Sequence, residues 1–140
     1  MGLRQRSVDV RDERGTAAVE FALVSVVLFM VVFGIIEFGK AYSQYEVYVN
    51  AAREGARVGA VRNDQAAIKG AVVNAAQGYP VDPASIQIQV AGTPGGDPPC
   101  TDQTTGQALA VSWSQQLSIS IPFLPPWHPN VAIRGVFACE

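Results

Sequence analysis

The alternation of apolar and polar positions divides this chain into three regimes. From Phe21 to Ile36 sixteen consecutive residues carry no charge, and Ser25 is the only clearly polar one. Extending back to Ala17 makes a run of twenty, broken only by Glu20. As a helix at 1.5 Å per residue that run is about 30 Å long, the thickness of a bilayer's hydrocarbon core. The pattern predicts a single membrane span behind a short tail, residues 1–14, which is polar, aperiodic and expected to be disordered. Past Lys40 the apolar residues thin to a stripe at three- and four-residue spacing: Tyr42, Tyr45, Val49, Ala52, Ala56 and Ala60. One helix is therefore expected from about Thr16 to about Val61, in lipid at one end and amphipathic at the other. Tyr42, Tyr45 and Tyr48 cluster just beyond the span, where rings with a polar tip suit the headgroup region.

The third regime starts at Asn63-Asp64, either of which can cap a new helix. Ile68, Ala71, Val72 and Ala75 mark a short helix that Gly78, Tyr79 and Pro80 stop. The period then falls to two. Ser85 to Val90 alternates as a strand with Ile86, Ile88 and Val90 inward, and Gly92 to Pro99 is expected as loop. Leu109, Val111 and Trp113 share one face of a second strand. Leu117 to Ile121 continues it or forms its hairpin partner, with Ser114-Gln115-Gln116 as the turn in the second case. Pro122 and Pro125 to Asn130 form a loop, and Val131 to Cys139 a last strand with Val131, Ile133, Gly135 and Phe137 on one side. The fold class is α+β: a long N-terminal transmembrane and amphipathic helix, a short helix, and a small antiparallel sheet of three to four strands laid on the polar half of the long helix, because so small a sheet is marginal uncovered. The expected segments are a cytoplasmic leader 1–15, a transmembrane helix 16–40, its extracytoplasmic continuation 41–62 and an exported module 63–140.

Two other origins for the apolar run fit less well. A soluble core would have to surround it, and the hundred or so residues that follow, many of them Gly, Pro, Ser, Gln and Asn, are a thin supply. A cleaved signal peptide has a shorter apolar region and a small-residue site at its end, whereas this run closes on Ile36-Glu37-Phe38-Gly39-Lys40. Charge sets the orientation: Arg4, Arg6, Arg11 and Arg14 precede the span, and after Lys40 the next basic residue is Arg53. The positive-inside rule then puts the N-terminus in the cytoplasm and the body outside. A net charge of -2 gives no basis for nucleic-acid binding. The two cysteines, Cys100 and Cys139, both fall in the exported part, where one disulfide is expected.

Glu20 is the costly residue of the span, since a carboxylate in lipid needs a partner. A cut between Gly15 and Thr16 would supply one. The new α-amino group lies four residues from Glu20, one helical turn away. Otherwise Glu20 reaches the cytoplasmic interface. Ala51, Gly55 and Gly59, at four-residue spacing, and Gly34 within the span offer flat patches where a helix of another subunit can pack closely; for Gly55 and Gly59 the alternative is a seat for the protein's own sheet. Glu37, Arg53, Glu54 and Arg57 are the charges available at an interface, or are solvated surface. Catalytic constellations are missing from the sequence: there is no HExxH, GxSxG, CxxC or phosphate loop, and His128 stands alone in a proline-rich stretch. Neither an enzyme, a cofactor, a metal site nor a small-molecule substrate is expected.

Arg14 to Val24, RGTAAVEFALV, resembles the processing region of type IV prepilins, and more closely that of TadE-like pseudopilins. The likeness continues through Gly34 to Lys40 and through Asn50 to Arg57, NAAREGAR. What the resemblance implies is cleavage after Gly15 by a membrane prepilin peptidase, Thr16 as the new first residue, and Glu20 in the role of the glutamate at the fifth position. It further implies a minor, structural subunit that supports assembly of a tight-adherence (Flp, type IVb-like) pilus, with the bilayer, the peptidase, other pilin or pseudopilin subunits and the assembly platform as partners. A major shaft subunit of that class would be little more than the N-terminal helix. The competing reading is an uncleaved single-pass envelope protein whose β module binds another surface or secretion component.

Overall fold

The structure, a computed structural model, describes residues 10–140, with side chains from Gly15 onward. Arg4 and Arg6 lie outside the described residues, and of Arg11 and Arg14 only the backbone is described. Helix α1 runs unbroken over Val10–Arg62. It thus begins before Thr16, in what the sequence pattern assigned to a disordered tail. Nothing from Arg11 to Arg14 stops a helix, and Gly15 costs only about 1 kcal/mol relative to alanine, so it is crossed rather than obeyed.

At its far end α1 closes on Asn63, whose φ of 52° is left-handed and whose amide donates to the Gly59 carbonyl at 3.0 Å. Asp64 then caps α2, Gln65–Ala75, its carboxylate accepting from the amides of Ala66 and Ala67. Gln77 and Gly78, at φ 54° and 88°, turn the chain out of α2. Four strands follow in one antiparallel sheet: β1 Gln87–Val90, β2 Thr93–Pro94, β3 Ala108–Gln116 and β4 Asn130–Ala138, in the order β2-β1-β3-β4.

One sequence expectation fails here, and one open alternative is decided. Thr93–Pro94 is not loop, because Ala91 and Gly92 both take positive φ (51° and 81°) and close a two-residue hairpin that sets Thr93 opposite Val90. Of the two readings for Leu117 to Ile121, the continuation holds, and Ser114 to Gln116 is not a turn. These residues pair with Ala132, Val131 and Asn130, and the ladder is prolonged past them by the Ile119–Trp127 bridge. β3 and β4 are thus one long hairpin that reverses at Ile121–Leu124, where the Leu124 amide donates to the Ile121 carbonyl.

The core lies between the sheet and the second half of α1. Ala41, Tyr48, Ala51, Ala52 and Ala56 meet Ile68 and Val72 of α2 and Leu109, Val111, Trp113 and Ile133 of the sheet. The module 63–140 therefore shares its core with residues 41–62. The buried stripe differs from the expected one by a residue: Tyr42 is 65 % exposed, while Ala41 and Tyr48 are buried. Tyr48 is the hub of the core rather than a headgroup residue. Its ring meets Trp113 edge-on at 6.2 Å and Tyr79 at 5.9 Å, its hydroxyl donates to the Pro80 carbonyl, and Gln44 donates to it. Phe137, on the same side of β4 as Ile133 and Gly135, is partly exposed near the end of the strand. Cys100 and Cys139 form a disulfide, closing 39 residues of sequence, which contributes roughly 3–4 kcal/mol in the chain-entropy account. Asn63 fixes the same corner, its side-chain amide donating to the Cys100 carbonyl and its carbonyl accepting from the Cys100 amide.

Candidate functional site

The first half of α1 carries its largest apolar side chains on the outside of the protein. Phe21 is 74 % exposed and Ile35 68 %, and Leu23, Val27, Leu28 and Val31 are likewise open. The helix is long and apolar enough to cross a membrane, and no part of its most apolar stretch is buried inside the protein. A helix apolar on all sides, with no protein around it, has a lipid solvent as its natural surroundings. The polar side chain within the charge-free run is provided for: the Ser25 hydroxyl donates to the Phe21 carbonyl at 2.6 Å.

At the N-terminal end of this stretch Gly15, Thr16, Val19, Glu20 and Leu23 line one open depression along the helix. Thr16 and Glu20 stand one turn apart on the same face, as the spacing requires. All of Gly15, Thr16 and Glu20 are exposed. At the other end Lys40 donates to Glu37 at 2.6 Å, and the second Glu37 oxygen accepts from the Ser120 amide at 3.5 Å. Glu37 thus has two partners within its own chain. Glu54 has one, Arg57, which makes a two-pronged contact with it at 2.7 and 2.9 Å. Arg53 is exposed one residue away.

The small residues of the second half lie under the protein's own elements. A methyl group on Gly55 would collide with the Val72 side chain of α2, and one on Gly59 with Leu109 of β3 and Ile68 of α2 at 2.5 and 2.8 Å. Ala51 is fully buried. Of the two neighbours considered from sequence, the chain's own helix and sheet occupy this face. Gly34 is different: only the tip of Ile121, 4.0 Å from where a Cβ would stand, approaches it. The tightest approach was not foreseen. At Gly135 the backbone of β4 lies directly on the α1 backbone at Ala52 and Arg53, leaving no room for a side chain. A glycine in mid-strand was the available clue. Tyr48 as hub and the Asn63 clamp left no comparable trace in the sequence.

Residues 15–57 match the family described as TadE-like protein. Over these residues the helix is similar to TadE-like proteins. No curated protein and no solved structure matches the chain. The TadE-like segment opens at Gly15, contains the whole apolar run, and ends at Arg57, before α2 and the sheet. Its second half is the surface on which those elements are built. The family context is that of pilus-associated proteins, and one N-terminal apolar helix is consistent with single-pass anchoring in a membrane.

Proposed function

We infer that this protein is a minor pseudopilin-like structural subunit supporting assembly of a tight-adherence pilus, and that a prepilin peptidase matures it by cutting after Gly15. The observation carrying this reading is the position of the family match. It begins at Gly15, one residue before the new N-terminus, with Glu20 one turn further on in the same exposed depression. Cleavage leaves the Thr16 amine as a cation where the Glu20 carboxylate can neutralise it, in the chain or in a neighbouring subunit. The bond lies in a helix, so the peptidase has to open it. Glycine makes that local unwinding about 1 kcal/mol easier than alanine would.

Residues 16–40 then act as the membrane anchor and 41–140 as the extracytoplasmic body. The Cys100–Cys139 disulfide supports that orientation, since such bonds persist outside the reducing cytoplasm. With Ala51, Gly55 and Gly59 covered, contact with other subunits falls to the exposed apolar half of α1, and Arg53 is the cation left accessible beside the Glu54–Arg57 pair.

The test is the intact mass and N-terminal sequence of membrane-extracted protein from cells with and without the peptidase. A chain beginning at Thr16 only when the peptidase is present is the expected result. A chain beginning at Met1 or Gly2 in both cells overturns it and leaves an uncleaved anchored protein.

A further inference from the structure

The β3–β4 hairpin runs down α1 toward the membrane. Leu109 lies over Gly59, Gly135 over Ala52, Trp113 against Tyr48 and Ile121 over Gly34. Gly34 belongs to the charge-free run, three residues on the apolar side of Glu37, which is about 4.5 Å along a helix axis. The reversal at Pro122–Leu124 therefore lies level with the outer end of the span. Its side chains face away from the protein: Phe123 is 91 % exposed, Trp127 57 % and Leu124 51 %.

We propose that this hairpin tip, Ile121 to Trp127, is a second membrane contact, seated in the outer interface of the bilayer beside the span. Its sequence, IPFLPPW, contains no charge. Three of its seven residues are prolines, which have no amide to desolvate. The Leu124 and Trp127 amides are bonded to the Ile121 and Ile119 carbonyls, which leaves those of Ile121 and Phe123 as the remaining donors. That is a backbone prepared for shallow immersion, where each unmet donor is costly only in the absence of water. Trp127 brings the ring type that favours headgroup level. The occupant is lipid rather than protein because Ile121 of the tip approaches the span at Gly34, between the exposed side chains of Phe33 and Ile35, which need the same solvent. The consequence is mechanical. With two attachments, the sheet is held at a fixed height and tilt over the membrane.

The inference rests on α1 spanning a bilayer, and not on cleavage or on a pilus. The chain has two tryptophans, of which Trp113 is buried, so Trp113→Phe leaves Trp127 as the reporter. The full chain is reconstituted in phosphatidylcholine–phosphatidylglycerol vesicles, and co-flotation first verifies insertion of α1. Trp127 emission is expected to shift to the blue, to be quenched by lipids brominated high in the acyl chain, and to be shielded from aqueous acrylamide. Phe123→Asp should weaken both quenching by bromolipid and shielding without affecting flotation. The difference between wild type and Trp127→Phe reads the same signal without disturbing the core. A chain that floats while Trp127 stays open to acrylamide overturns the proposal and spares the span. Shielding that appears only at high protein density also overturns it, assigning the tip to a second copy. Failure to float removes the span and the proposal together.

Discussion

The two halves of α1 are one uninterrupted helix with opposite rules of burial. In residues 15–40 the bulky side chains, Phe21, Leu28, Ile35 and others, are exposed and Gly34 is overlain only by Ile121. In residues 41–62 the buried positions are mostly Ala and Gly, with Tyr48 as the large exception. Apolarity alone therefore does not say which face is covered. The first half offers large area all round and little complementary protein surface, which is consistent with burial in a bilayer. The second offers little area per residue but lets backbones approach, and the area comes from Ile68, Val72, Leu109, Trp113 and Ile133 brought down onto it.

If that contrast is correct, damage to one half should leave the other intact. The largest effect is expected at Gly135. Replacement by valine sets a side chain into the Ala52–Arg53 backbone, which cannot move as a flexible side chain would, and should cost more than the ~3 kcal/mol of ordinary overpacking. Denaturant titration should show the sheet unfolded or severely weakened while the chain still floats with vesicles. Loss of flotation as well would mean that the halves are coupled.

Val27→Asp reverses the experiment. A carboxylate near the middle of the span costs roughly 2.5–3.5 kcal/mol of insertion, so membrane partition should fall steeply. The Cys100–Cys139 disulfide and the protection of the Tyr48 core should persist in detergent. The smallest effect is expected from Glu54→Gln. It breaks a solvent-facing pair with Arg57, and such pairs contribute about 0–1 kcal/mol, so neither the denaturation midpoint nor flotation should move appreciably. A large change there would mean that the outer face of the second half is not simply solvated.

Much of this was legible in one dimension, because each feature rested on a local rule. The length of the apolar run set the exposed apolar half of α1, the Asn63-Asp64 break and Asp64 cap set α2, and alternation set β1, β3 and β4 and most of their inward residues. Glu20, one turn from Thr16, needed only helical periodicity. What the sequence could not yield depended on which surfaces meet. Tyr48 and Tyr42 are the same residue type six positions apart, and only the arrival of Trp113 and Tyr79 makes one of them core. Ala91-Gly92 became a hairpin turn because β1 was there to pair with Thr93. The proline-rich stretch after Ile121 was loop by composition, but its place beside Gly34 follows from the length of the β3–β4 hairpin and from the anchoring of Gly135 on Ala52. Periodicity and chain stiffness are properties of neighbours in sequence, and they fixed the elements. The choice of covered face is a property of neighbours in space, and only the assembled fold made it.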